Sequence, residues 1–267
     1  MAKRTRRISK ISALHIFKLC FRSALLLAAL VFYLIHVITG TGEPFGAVAR
    51  FPLLMFVIWL VFVGEMLLRF FPSERESMGC QKQFKRNFVP TEVEKPPKGS
   101  WRSTLAVALV WLLLNGCIGV AFFLGWIGKP ILILISLFYS VCDMICILFF
   151  CPFQTWFMKN KCCGSCRIYN WDFAMMFTPL IFVPDPFTWS LLGLSLLLLL
   201  YWEIMVHRHP ERFSEVTNAC LSCANCKEKL CHHKSQLRRF LRKHSEILLL
   251  KGNTVLKKAK NTFSKKK

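Results

Sequence analysis

Seven of the 13 cysteines in this 267-residue chain fall in two tight groups. One is Cys220-x2-Cys223-x2-Cys226-x4-Cys231, followed by His232 and His233, and the other is Cys162-Cys163-x2-Cys166. Thiolates two residues apart reach one metal from a single turn, at about 2.3 Å for zinc. Repetition of that step points to metal ligation in a reducing compartment, or to disulfides in an oxidising one.

The spacing allows two partitions. In one, Cys163 and Cys166 join two of Cys220, Cys223 and Cys226 in a zinc site of four thiolates. In the other, Cys151, Cys162, Cys163 and Cys166 form one group of four, and Cys220, Cys223, Cys226 and Cys231 form another. Four thiolates is the ligand set of a [4Fe–4S] cluster. Zinc and iron–sulfur both remain open on these residues.

Carboxylates inside apolar runs are a second candidate chemistry. Asp143 lies mid-run and shares a helical face with Ser136, Tyr139, Ser140 and Cys146. An ionisable group there faces the interior of a bundle. It serves either a polar pathway, as in a transporter, or a hydrogen-bonded seam between helices, and the seam is the commoner use. Glu65 and Arg69 are spaced for a local i, i+4 ion pair at a helix end. Glu203 and His207 have the same spacing, with His209 close behind; the two histidines could add metal ligands, but solvated interface residues are the expectation.

The elements that carry these groups follow from the composition. Hydrophobic residues make up 54% of the chain, yet Lys+Arg number 36 against 14 Asp+Glu, a formal net charge of +22. A soluble basic protein lacks such apolar content, and a disordered one lacks it further. An all-α integral membrane bundle fits, with charge confined to water-facing loops. Apolar runs predict six transmembrane helices at about 23–39, 52–71, 103–127, 130–151, 168–183 and 187–206, within a membrane domain of residues 1–206. The fifth is short and contains Pro179, so a re-entrant segment competes with it. Pro184-Asp185-Pro186 separates it from the sixth, because proline breaks helices and restrains its predecessor.

Basic residues orient the bundle. The segment through Arg22, the loop 72–102 with the adjoining Arg69, the segment 152–167 and residues 207–267 hold 34 of the 36 Lys and Arg. Only Arg50 and Lys129 fall opposite. The positive-inside rule therefore puts both ends of the chain, and the two cysteine groups, in the cytoplasm of a multi-pass cell-membrane protein. That compartment turns the cysteines into expected metal ligands.

With a helix end placed at Cys151, Cys151-Pro152-Phe153 and the upstream Cys146 resemble the C-x3-C-P motifs of membrane-bound polyferredoxins. Cys220-x2-Cys223-x2-Cys226 resembles the opening of a bacterial ferredoxin motif. The resemblance implies iron–sulfur clusters on these cysteines that pass electrons between the membrane and cytoplasmic partners. A zinc-stabilised scaffold or sensor is the alternative. No phosphate-binding loop, Ser/His/Asp set or HExxH motif supports catalysis, so an electron-transfer component is the most that is expected. In the cytoplasmic tail, 207–267, residues 234–250 read as a basic amphipathic helix lying on anionic inner-leaflet lipids. No aromatic platform or reader motif accompanies the charge, so nucleic acid is not an expected partner.

Overall fold

The computed structural model describes residues 10–40, 45, 52–72, 78–93, 101–159 and 165–222. Among them are seven α-helices: α1 (Lys10–Thr39), α2 (Pro52–Leu67), α3 (Met78–Gln83), α4 (Trp101–Phe123), α5 (Lys129–Leu148), α6 (Asp172–Phe177) and α7 (Pro186–Arg208). No β-strand occurs among the described residues, and a single isolated bridge joins Pro90 to Asn218. Four stretches are long and apolar enough to cross a membrane: Ser12–Thr39, Trp101–Phe123, Lys129–Leu148 and Pro186–Arg208. Helix α2 is apolar too, but shorter at 16 residues.

The helix ends follow local chemistry. Gly125, at φ +74°, closes α4, with Trp126 N–H donating to the Ala121 carbonyl and Gly125 N–H to that of Phe122. This is the paired-bond ending that a left-handed glycine permits. Pro130 then sits in the first turn of α5, where its missing N–H costs nothing. At the Pro184-Asp185-Pro186 break, the Asp185 carboxylate accepts from Phe187 N–H at 2.9 Å and caps α7.

Between α5 and α7 the chain makes one right-handed helical run, Arg167–Phe182, in which six α-helical residues are flanked by two five-residue 3₁₀ turns. Pro179 begins the second of these turns, where it has no amide hydrogen to give to an α-helical bond. The 3₁₀ geometry rises about 2.0 Å per residue, so this run reaches about 29 Å, where a pure α-helix of equal length reaches about 24 Å. It occupies the centre of the bundle. Phe173, Met176, Phe177 and Leu180 pack with Phe62, Met66, Leu132, Leu198 and Trp202 into one core. Helix α1 packs along α5 and α2 along α7, and both α4 and α5 contact the central run.

Polarity is inverted relative to a water-soluble protein. Arg22, Asn115, Ser136, Ser140, Asp172 and Ser195 are buried, whereas Leu27, Ile35, Ile38, Leu112, Leu113, Leu197 and Leu200 face outward. An outward apolar surface of that extent requires an apolar surrounding. Helix α1 is longer than the expected first span, 23–39, and its apolar stretch starts at Ser12. Lys18 and Arg22, expected in the basic flank, are thus carried into the bundle.

One end is closed by a polar cap. Asn218, fully buried, donates to the carbonyls of Lys82 and Arg212 at 3.0 and 2.9 Å, and Ala219 N–H donates to Val89. Asn170 donates to Gln83 at 2.9 Å, tying the cap to the central run.

Candidate functional site

The central run brings two layers of chemistry together. The inner layer is a buried charge network. Arg22, 1% exposed, donates to Glu65 Oε2 at 2.7 Å, Asp143 Oδ2 at 3.0 Å and the Ser140 carbonyl at 3.1 Å. Lys18 lies 3.6 Å from the other Glu65 oxygen. Arg69 forms a two-pronged pair with Asp172 at 2.8 and 2.5 Å. The Phe173 ring lies between the two guanidinium groups, 4.6 Å from that of Arg69 and 5.9 Å from that of Arg22. Three cations, Lys18, Arg22 and Arg69, thus meet three anions, Glu65, Asp143 and Asp172, contributed by α1, α2 and the turn after it, α5 and the central run. Desolvated charges are tolerated only when paired and hydrogen-bonded in this manner.

The local i, i+4 pair expected between Glu65 and Arg69 is corrected by this arrangement. Both residues reach across the bundle instead, because buried partners win over an exposed intrahelical contact. Glu203 accepts from Arg167 at 2.5 Å and from the Trp171 indole at 2.6 Å. Asp143 belongs to the seam of α5. Ser136 on the same face donates to the Met176 carbonyl at 2.8 Å, and Ser140 donates to that of Leu137.

The outer layer is a cavity of about 130 Å³ between α5, the turn after it and the central run. Cys142, Cys146, Cys151 and Cys166 line it, and Asp143 and Asp172 reach it from the charge network. Trp111, Tyr139, Phe153, Met175 and Met176 make the rest of the wall largely apolar. Cys146 and Cys142 are one turn apart on α5. Cys151 follows the helix end, and the following turn Phe153–Phe157 is π-helical, with Met158 N–H donating to Phe153 at 2.9 Å. Gln154 N–H points at Cys151 Sγ at 3.4 Å. Cys166 is 3% exposed and precedes the 3₁₀ turn Arg167–Trp171.

Of the expected ligands, Cys151 and Cys166 therefore share one cavity, and Asp143 borders it. Cys220 sits in the polar cap on the turn Ala219–Leu221, away from that lining. Cys162, Cys163, Cys223, Cys226 and Cys231 lie outside the described residues, as does the basic stretch 234–250. Among the described residues, no three His, Cys, Asp or Glu side chains converge closely enough to hold one metal ion. Spacing on α1 carried a signal for Arg22: Ser12, His15 and Arg22 recur at helical intervals inside an apolar run and are all buried. No sequence signal linked Arg69 to Asp172, 103 residues away.

Comparison of the chain with protein-family models, curated proteins and solved structures returns no match.

Proposed function

We propose that the chain is a six-span cell-membrane protein, with both ends cytoplasmic, that holds metal through its cysteines and passes electrons by iron–sulfur chemistry. The observation that carries this reading is the four-thiol cavity. A single zinc ion needs four donors about 2.3 Å from one point. Thiols ranged around a space suit a multi-iron cluster, in which each iron takes its own thiolate. Cys146, Cys151 and Cys166 are the ligands assigned here, with Cys162 or Cys163 from the adjoining segment completing four. The presence of Cys166 and Cys151 in one cavity lining supports this grouping. Cys220, Cys223, Cys226 and Cys231 form the second proposed centre.

The overwound central run supports the count of six, since its length of about 29 Å matches a hydrocarbon core of about 30 Å. The Arg22 pair with Asp143 argues against a transporter built on a free Asp143 carboxylate. The test is metal analysis of protein purified without oxygen. Iron with acid-labile sulfide is expected, falling in Cys151→Ser and Cys166→Ser but not in Cys20→Ser or Cys117→Ser, whose cysteines are exposed elsewhere. Zinc alone would favour the scaffold reading, and absence of both metals would remove the metal centre altogether.

A further inference from the structure

We propose that Cys80 is a ligand of the C-terminal metal centre, its thiolate joining those of Cys220, Cys223 and Cys226 in the place that chain order gives to Cys231. The inference rests on the metal reading above and changes one ligand of its second centre. Cys80 belongs to neither cysteine group in the sequence. It lies in the basic loop 72–102, which the positive-inside rule assigns to the same side as residues 207–267.

The fold brings the two segments together. Cys80 lies on α3, and α3 packs against the turn Ala219–Leu221 that bears Cys220. A six-residue helix has no stability of its own, so its place is set by the groups that hold it. The closest tie is Asn218. Its side-chain nitrogen donates to the Lys82 carbonyl at 3.0 Å, and its side-chain oxygen accepts from Cys220 N–H at 3.1 Å. One fully buried amide thus bonds to the backbone of both elements, although Lys82 and Asn218 are 136 residues apart in the chain. Those two bonds hold the Cys220 nitrogen within about 8.5 Å of the Lys82 oxygen, two residues from Cys80. The pairing continues beyond the helix: Ala219 N–H donates to Val89 at 2.9 Å and Thr91 N–H to Thr217 at 3.3 Å.

Reach and ordering favour Cys80. A metal–sulfur bond of about 2.3 Å added to each side chain lets two cysteines at such a separation share one centre. Three cysteines at x2 spacing present three sulfurs from one loop, and either a zinc ion or an iron–sulfur cluster takes a fourth. Cys231 would supply it from a further stretch of the same segment, whose ordering costs conformational entropy. Helix α3 is already fixed against the first residues of that segment, so Cys80 brings a donor whose backbone is ordered before metal binds. The metal then adds a second link, beside Asn218, between the α2–α4 loop and the segment after α7.

The experiment uses the full chain, purified without oxygen in lipid nanodiscs, with iron, acid-labile sulfide and zinc counted per chain. Cys80→Ser is expected to lose one centre, about half of the bound iron and sulfide. Cys231→Ser is expected to keep the native content, as is the control Cys20→Ser, whose cysteine is exposed on α1. Native metal content in Cys80→Ser would overturn the proposal. The second measurement needs no variant: the native chain is reduced, stripped with chelator and treated with the thiol cross-linker dibromobimane. Peptide mapping is expected to join the Cys80 peptide to the one carrying Cys220, Cys223 and Cys226. A map without that link overturns the proposal even where Cys80→Ser fails to fold. The metal counts separate the two readings. Iron that falls in Cys231→Ser but not in Cys80→Ser defeats Cys80 alone. Zinc in place of iron, lost in Cys80→Ser, keeps Cys80 and defeats the iron–sulfur reading. A native chain without metal defeats both.

Discussion

Arg22 satisfies acceptors on two other helices and so joins α1 to α2 and α5. Its removal leaves Glu65 and Asp143 buried without their shared cation. Arg22→Gln is expected to destabilise the fold by about 3–5 kcal/mol, the cost of breaking a buried pair from one side. Denaturant titration in a fixed detergent measures it, and a loss under about 1 kcal/mol would mean that the network is solvated. The Arg69–Asp172 pair behaves differently because it is two-pronged. Arg69→Met and Asp172→Leu should each be costly, and the double variant should cost less than the sum, with a coupling of about 0.5–3 kcal/mol. Strict additivity would show that the two side chains do not depend on each other.

At the scale of elements, α4 makes its tightest approach to the central run at Gly119. A Cβ on Gly119 would stand 2.9 Å from Phe182 Cζ, and that ring is already packed against Phe122 and Phe123. A Cβ on Gly116 meets nothing within 4 Å. Gly119→Val should lower stability by about 1–3 kcal/mol through overpacking, and Gly116→Val should change little. Equal melting temperatures for the two would refute the contact. The element boundaries were legible where proline punctuates the chain: the break at Pro184 to Pro186 stands where composition placed it, whereas α4 ends at Phe123, short of the expected 127, because Gly125 stops the helix first. The overwinding of Arg167–Phe182 was not legible, because hydrophobic periodicity distinguishes helix from strand but is too coarse to separate a 3₁₀ turn from an α-helical one over five residues. The grouping of Cys151 with Cys166, which line one cavity, was readable from the sequence. The contributions of Cys142 and Cys146 to the same wall were not, since on α5 alone they look like small apolar filler.

For the whole molecule, exposed tryptophans gather at two levels near the helix ends. Trp126 and Trp189 are exposed near the α4–α5 turn and the start of α7, and Trp101 and Trp156 are exposed near the opposite helix ends. Two such belts mark the headgroup levels of a bilayer. In cells, a membrane-impermeant thiol reagent is expected to label Gly128→Cys from outside and to leave Ser222→Cys unlabelled until the membrane is opened. The reverse pattern would invert the topology, and labelling of both would break the six-span count. The inverted polarity described above has a further consequence during synthesis. Helix α1 is made before α2 and α5, with Arg22 inside its apolar stretch, and arginine within a membrane helix costs up to about 2.5–3.5 kcal/mol on insertion. Its partners lie 43 and 121 residues later in the chain. The first helix is therefore poorly committed to the bilayer when it is made. It gains its place in two instalments, with Glu65 and then with Asp143, so the order of biogenesis is written into the same guanidinium that holds the finished bundle.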